Sequence, residues 1–214
     1  MKQKSTTRNT LQVAEVFTSI QGEGAVAGMP SVFIRLAGCN LHCPWCDTKY
    51  AWMQGQTMTV EQILQKVPEH IRLVTITGGE PLIQKNVEHL ARALWSRGHI
   101  VIVETNGTID PWFPACYSVS PKQLPNYQFK FSFKWLPYIV HFKVVVRHVV
   151  DLQFAEQWLK YGKPVYVQPD GTLPDREYLQ LCRQIWETIV DKYPRLYFVP
   201  QIHRIIWGRG VREK

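Results

Sequence analysis

The chain is short of cysteine, has no apolar leader and lacks any unbroken hydrophobic run long enough to cross a bilayer. Each shortage removes a class of protein. Five cysteines in 214 residues without a signal peptide do not make the disulfide framework of a small secreted domain. A helical membrane span needs roughly 20 consecutive apolar residues, and none is present. Internal repeats and low-complexity stretches are missing too, which argues against a solenoid or a linker-rich chain. These shortages point to a reducing, cytoplasmic setting.

What is present suits one compact enzyme-sized unit. With 45% hydrophobic residues, 214 residues can bury one substantial core, so a single domain over 1–214 is expected. The formal charge of +8 invites a nucleic-acid reading. However, the basic residues are scattered until the tail at 204–214, and a generally basic surface equally suits an acidic redox partner.

Short β-rich runs alternate with amphipathic stretches. Strands are predicted at 32–36, 73–77, 99–105, 117–119, 140–146, 165–167 and 196–199. Helices are predicted from Thr59, whose pairing with Gln62 makes a capping box, to about Val67; over 87–97, stopped by Gly98; near 152–161; and over 175–193. The repeated β/α order implies parallel strands with crossover helices, either an open sheet or a curled partial barrel. At this length the barrel has about six core strands rather than eight. Strand after strand hands over to a Gly, Pro, Ser, Glu, Gln or His cluster at its carboxyl end, which in both architectures carries the ligand site.

One such strand ends in CNLHCPWCDT over 39–48. Cys39, Cys43 and Cys46, spaced C-x3-C-x2-C, can hold three irons of a 4Fe-4S cluster and leave the fourth open. S-Adenosylmethionine (SAM) can chelate that open iron, which proposes radical SAM chemistry. The competing reading is zinc, for which His42 is the only nearby fourth ligand; structural zinc sites more often use two separated ligand pairs. Cys116 and Cys182 lie far from the triplet and read as ordinary buried or semi-buried thiols.

Seven segments occur in fixed order: FTSIQGEG at 17–24, FIRLAGCNL at 33–41, CDT at 46–48, TGGEP at 77–81, ETNGT at 104–108, SPK at 120–122 and VQP at 167–169. Together they resemble the 7-carboxy-7-deazaguanine synthases over about 13–203, with 204–214 as an extension. The resemblance implies a radical SAM type of partial TIM-like (β/α) barrel with short extra elements. It also implies a homodimeric lyase of queuosine and deazapurine biosynthesis. Such an enzyme converts 6-carboxy-5,6,7,8-tetrahydropterin into 7-carboxy-7-deazaguanine with loss of ammonia. A 5'-deoxyadenosyl radical abstracts hydrogen from C6 and magnesium assists the ring contraction. The cofactors implied are a 4Fe-4S cluster, SAM and Mg2+; a flavodoxin- or ferredoxin-like protein would supply the electron. No catalytic side chain is implied, because the cofactor carries the chemistry.

Position by position, the resemblance gives the cluster to Cys39, Cys43 and Cys46 and magnesium to Thr48. SAM falls to Trp45, Cys46, Asp47, Gly78, Gly79, Glu80, Ser120, Pro121, Lys122, Gln168, Pro169, Asp170 and Gly171. In this reading side chains at Gly78 and Gly79 would obstruct the cofactor. The pterin falls to Ile20, Gln21, Gly22, Glu23, Arg35, Thr77, Glu104 and His203, with Arg35 receiving the substrate carboxylate. An arginine inside an apolar strand has a second explanation, an internal salt bridge. The aromatic, basic stretch 127–138 is an excursion that would cover the pocket, meet a second subunit or receive the donor. The tail runs past the point where some family members end on a substrate-contacting proline, so no such contact is assigned. Within radical SAM enzymes the alternative is an activase that makes a glycyl radical on another protein; outside them it is a basic zinc-binding RNA module.

Overall fold

The computed structural model describes residues 9–212. Its strands are β1 (Thr10–Ile20), β2 (Pro30–Leu36), β3 (Gln56–Thr59), β4 (Leu73–Gly78), β5 (Ile100–Thr105), β6 (Cys116–Val119), β7 (Ile139–Val146), β8 (Val165–Pro169) and β9 (Tyr197–Phe198). They form one sheet in the order β3-β1-β2-β4-β5-β6-β7-β8-β9. From β2 onward every neighbouring pair is parallel, while β1 runs antiparallel to both β2 and β3. The fold is the expected partial barrel, with β2, β4, β5, β6, β7 and β8 as its six core strands. The antiparallel β1–β3 addition was not foreseen, because β1 mixes Glu15, Thr18 and Ser19 into its apolar positions.

Helices α1 (Val60–Leu64), α2 (Val87–Ser96), α3 (Leu152–Glu156), α4 (Asp175–Lys192) and α5 (Ile202–Trp207) complete the chain. The predicted capping box starts α1: the Thr59 hydroxyl accepts from Gln62 N–H and the Gln62 side chain accepts from Thr59 N–H. Helix α2 buries Val87, Leu90, Ala91 and Leu94, one face at helical spacing, and the chain turns away at Gly98 with φ +84°. Parallel strands covered on both sides need apolar residues in sequence, and Leu73 to Thr77 are all buried accordingly.

Several expectations need correction. The helix near 152–161 is α-helical only over α3 and tightens into a 3-10 helix at Gln157–Tyr161. The last strand shrinks to two residues, and His203 lies in α5 rather than at a strand end. Arg204, counted with the basic tail, is buried. Its guanidinium stacks 3.7 Å from the Tyr178 ring centroid and donates to the carbonyls of Asp170, Gly171 and Leu173, so its charge fastens α5 to α4. Cys116 is exposed rather than enclosed. In the 127–138 excursion, Phe131 and Trp135 are buried in the core, and Phe129 packs edge-on against Trp158 and Tyr161. Phe133 and Tyr138 are exposed, and none of the stretch's residues reaches the cavity described next.

Candidate active site

Inward-facing residues of neighbouring core strands fall into register at the carboxyl end of the barrel. Arg35 of β2 pairs with Thr77 of β4, and Glu104 of β5 pairs with Ser118 of β6. The Thr77 hydroxyl donates to Glu104 Oε2 at 2.9 Å, which joins the two pairs into one polar layer. Arg35, Thr77 and Glu104 open into a cavity whose rim carries Cys39, Cys43 and Cys46. Strand ends and cysteine loop therefore share one mouth, as the sequence implied.

The cysteine loop is built to present sulfur. Cys39 Sγ accepts from Leu41 N–H and Cys46 Sγ from Thr48 N–H, each at 3.4 Å. Such N–H···S contacts are how a protein stabilises and tunes cluster thiolates. Burial pushes all three thiols up, so bound metal would be what deprotonates them. Three sulfurs converging on one cavity fit a cluster with an open iron. Among the described residues no three His, Cys, Asp or Glu side chains draw together tightly enough for a single ion. Trp45, between the second and third cysteine, lies on the cavity wall under the Arg147 guanidinium, 4.0 Å from its ring centroid.

The TGGEP loop braces this one. Gly79 N–H donates to Leu36 C=O at 3.1 Å and Glu80 N–H to Gly38 C=O at 2.8 Å. A Cβ on Gly78, whose φ is +145°, would overlap Leu36 O; one on Gly79 would overlap Gly38 O and lie 2.8 Å from Cys39 Cβ. The glycines are required by the protein's own backbone, and both also line the cavity. Glu80 is likewise a brace. Its carboxylate is fully buried, accepts from Leu82 N–H, Asn106 N–H and the Thr105 hydroxyl, and does not reach the cavity wall. Burial raises its pKa against the pull of these bonds.

Both explanations of Arg35 hold together. Its Nε donates to Glu15 Oε1 at 2.7 Å, the internal salt bridge, yet Arg35 lines the cavity and neither terminal NH2 group has a hydrogen-bond partner among the described residues. Glu15 also accepts from the Tyr50 hydroxyl at 2.5 Å. The fork is thereby aimed while its outer edge stays available for a carboxylate. Phe17 and Phe33, stacked at 5.1 Å, form a flat apolar wall beside it.

The opposite wall holds a cation that the sequence reading missed. Lys143 of β7 is buried and ion-paired with Glu23, and its Nζ lies 3.3 Å from Glu104 Oε1. Burial works to neutralise both partners of the close pair, but attraction wins: Lys143 is held well above the usual lysine range by Glu104 and Glu23, and Glu23 well below the carboxylate range by Lys143 and His203. Gln168 and Gln201 each donate to Glu23 Oε1, at 3.0 and 2.6 Å. Charge inside the apolar run IVHFKVVV was the signal available for Lys143. Gln201, Asn106 and Trp52 gave none beyond being polar or aromatic loop residues.

Of the other anticipated residues, Ile20, Gln21, Thr48, Asp47, Ser120, Lys122, Gly171 and His203 reach the cavity. Gly22, Pro121, Pro169 and Asp170 do not. A Cβ on Gly22 would overlap the His203 ring, so that glycine makes room for a neighbour. Asp170 is spent on its own turn, accepting from Thr172 N–H and hydroxyl.

A radical SAM superfamily profile matches residues 33–115, the stretch from β2 through the cysteine loop to the approach of β6. The 7-carboxy-7-deazaguanine synthase of Hyperthermus butylicus is 37% identical over 234 aligned residues, covering 96% of this chain and 97% of the relative. The chain belongs to the 7-carboxy-7-deazaguanine synthase family. Another synthase, from Haemophilus influenzae, is 34% identical and covers 91% of this chain and 92% of its own. The crystal structure of QueE from Escherichia coli superposes with a TM-score of 0.72 at 26% identity, covering 91% and 95% of the two chains. The chain is thus a radical SAM enzyme of queuosine biosynthesis, and that membership brings the 4Fe-4S cluster and SAM to the three-cysteine cavity.

Proposed function

We propose that this chain, acting as one radical SAM domain, converts 6-carboxy-5,6,7,8-tetrahydropterin into 7-carboxy-7-deazaguanine and ammonia. The observation that carries the reading is the fixed Arg35 fork, with unspent donors, facing the same cavity as the cysteine triplet. When bound, the cluster and SAM supply one-electron cleavage of a carbon–sulfur bond. The chain's own residues position and shield. Arg35 receives the substrate carboxylate, Thr77 and Glu104 take polar edges of the ring system, and Phe17 and Phe33 exclude water from one side. Trp45, Ser120, Lys122 and Gln168 line the SAM side. Cys39, Cys43 and Cys46 hold the cluster.

Thr48 follows the last cysteine, and its hydroxyl donates to Asp47 Oδ1 at 2.5 Å. A hard cation that keeps most of its waters needs few protein oxygens, so these two support a magnesium site shared with the substrate. The positive charge of the chain supports an acidic flavodoxin- or ferredoxin-like donor. The enzyme acts as a homodimer, a point that sedimentation velocity decides. Anaerobic incubation of reconstituted protein with SAM, a low-potential reductant and the carboxypterin tests the reaction. Product and ammonia should appear in equal amounts, and should be lost in Cys43→Ala. SAM cleavage without pterin conversion would overturn the reading.

A further inference from the structure

The cation opposite Arg35 has a donor left over. Lys143 carries three N–H donors; Glu23 takes one and Glu104 Oε1 faces a second at 3.3 Å. Among the described residues no acceptor meets the third, although the side chain lies on the cavity wall and the residue is only 6% exposed. Its two carboxylates are unlike each other. Glu23 is committed, accepting from Gln168, Gln201 and Lys143. Glu104 is loosely held on its Oε1 side, where Gln21 and Lys143 both stand at the long distance of 3.3 Å, while Oε2 accepts from Thr77. The cavity thus offers a carboxylate with acceptor capacity directly beside an ammonium with a spare donor.

That pairing has a complement. A 2-amino-4-oxo pyrimidine ring shows, along one edge, an amino N–H, a ring N–H and a carbonyl oxygen, in the order donor, donor, acceptor. A carboxylate accepts the two parallel donors, and a cation next to it donates to the oxygen. Resting on the pterin reading above, we infer that Lys143 is a specificity-determining residue that donates to the 4-oxo oxygen of the substrate while Glu104 accepts from the amino edge. Arg35, on β2 beyond β4, and Lys143, on β7 beyond β6, hold opposite ends of the ligand. Glu23 and its glutamines keep the lysine charged and in place. An apolar-lined pocket alone would tolerate a 4-amino analogue; this pair does not, because two donors would face each other at the desolvated cation and the analogue's ring nitrogen, now without its hydrogen, would face the Glu104 carboxylate.

The test uses oxidised, unreactive ligands and the SAM-loaded enzyme: pterin-6-carboxylate and its 2,4-diamino counterpart, with affinities read by fluorescence quenching. The unaltered protein should bind the 4-oxo ligand at least 10-fold more tightly. Lys143→Met should weaken the 4-oxo ligand by about 10- to 100-fold, lower the preference to the share that Glu104 supplies through the ring N–H, and leave SAM affinity and iron content unchanged; Lys143→Gln, which keeps a donor, should recover part of the lost preference. Equal binding of the two ligands by the unaltered protein overturns the assignment, whatever the variants do. So does a Lys143→Met protein that prefers the 4-oxo ligand as strongly as the unaltered protein does. If the unaltered protein binds neither ligand but still cleaves SAM, the pterin reading itself has failed and the inference falls with it.

Discussion

Gly79→Ala is the perturbation whose consequence the structure sets most sharply. The added Cβ would overlap Gly38 O and lie 2.8 Å from Cys39 Cβ, so the TGGEP loop must move away from the cysteine loop. Moving it strains or breaks two backbone hydrogen bonds, Gly79 N–H to Leu36 C=O and Glu80 N–H to Gly38 C=O. At about 1 kcal/mol each, with about 1–3 kcal/mol for overpacking, the loss is about 3–5 kcal/mol. A domain of this size loses roughly 2–4 °C of Tm per kcal/mol, so melting should fall by about 10 °C. Gly98→Ala is the control. It stands at positive φ, +84°, and nothing lies within 4 Å of its Cβ, so only the conformational cost of about 1–2 kcal/mol applies. Differential scanning fluorimetry of the two apo variants, followed by anaerobic iron loading, separates strain from site damage. Gly79→Ala should melt lowest and load less iron, whereas Gly98→Ala should load fully. A Gly79→Ala protein that melts with the parent and loads full iron would refute the claim that the two loops brace each other.

Three other outcomes follow from the same geometry. Thr48→Ala should keep the cluster and SAM cleavage but lose about 10- to 100-fold in the magnesium response of product formation; an unchanged magnesium titration removes Thr48 from the metal site. His141, buried beside Ser118 with Nδ1 unpartnered, has its pKa lowered to about 3 by burial and then by the Lys143 charge. Below its ordinary value of 6.5 the unfolded chain binds a proton that the folded one refuses. Stability is therefore lost as pH falls from about 6.5 toward 3, by at most about 1.4 kcal/mol per pH unit. His141→Gln should flatten the Tm-against-pH curve between pH 6.5 and 5, above the range where depressed carboxylates contribute, and parallel curves would refute this. Turnover driven by an acidic protein donor should fall with added salt more steeply than turnover driven by a small chemical reductant, because exposed charges are screened over about 8 Å at physiological ionic strength; superimposable salt curves would assign the basic surface another purpose.

Local chemistry was legible in the sequence wherever it repeated or punctuated. The C-x3-C-x2-C spacing, the Thr59 capping box, the stop at Gly98 and the strand-end clusters each have a short-range cause, and each has its counterpart in the fold. Pairings over long separation were not legible. Glu15 and Arg35 are 20 residues apart and meet across antiparallel strands, and Lys143 meets Glu23 across 120 residues. A motif also does not tell which of its members face inward. In TGGEP Thr77 and both glycines line the cavity while the glutamate turns away to anchor Asn106, and in the VQP segment and its turn Gln168 faces the cavity and Pro169 and Asp170 do not. Aromatic residues at 127–138 looked like a surface excursion because no periodicity tied them to the core; their partners, Phe142, Trp158 and Tyr161, lie on later elements.

The central claim is that the cysteine-bound cofactors and the Arg35-held pterin occupy one cavity, close enough for direct hydrogen transfer. Carboxypterin deuterated at C6, turned over anaerobically with unlabelled SAM, measures this directly. Mass spectrometry of the recovered SAM should find deuterium in its adenosyl group, with little label released to water. Unlabelled SAM beside fully deuterated, unconverted pterin, or label appearing only in solvent, would contradict a single shared site.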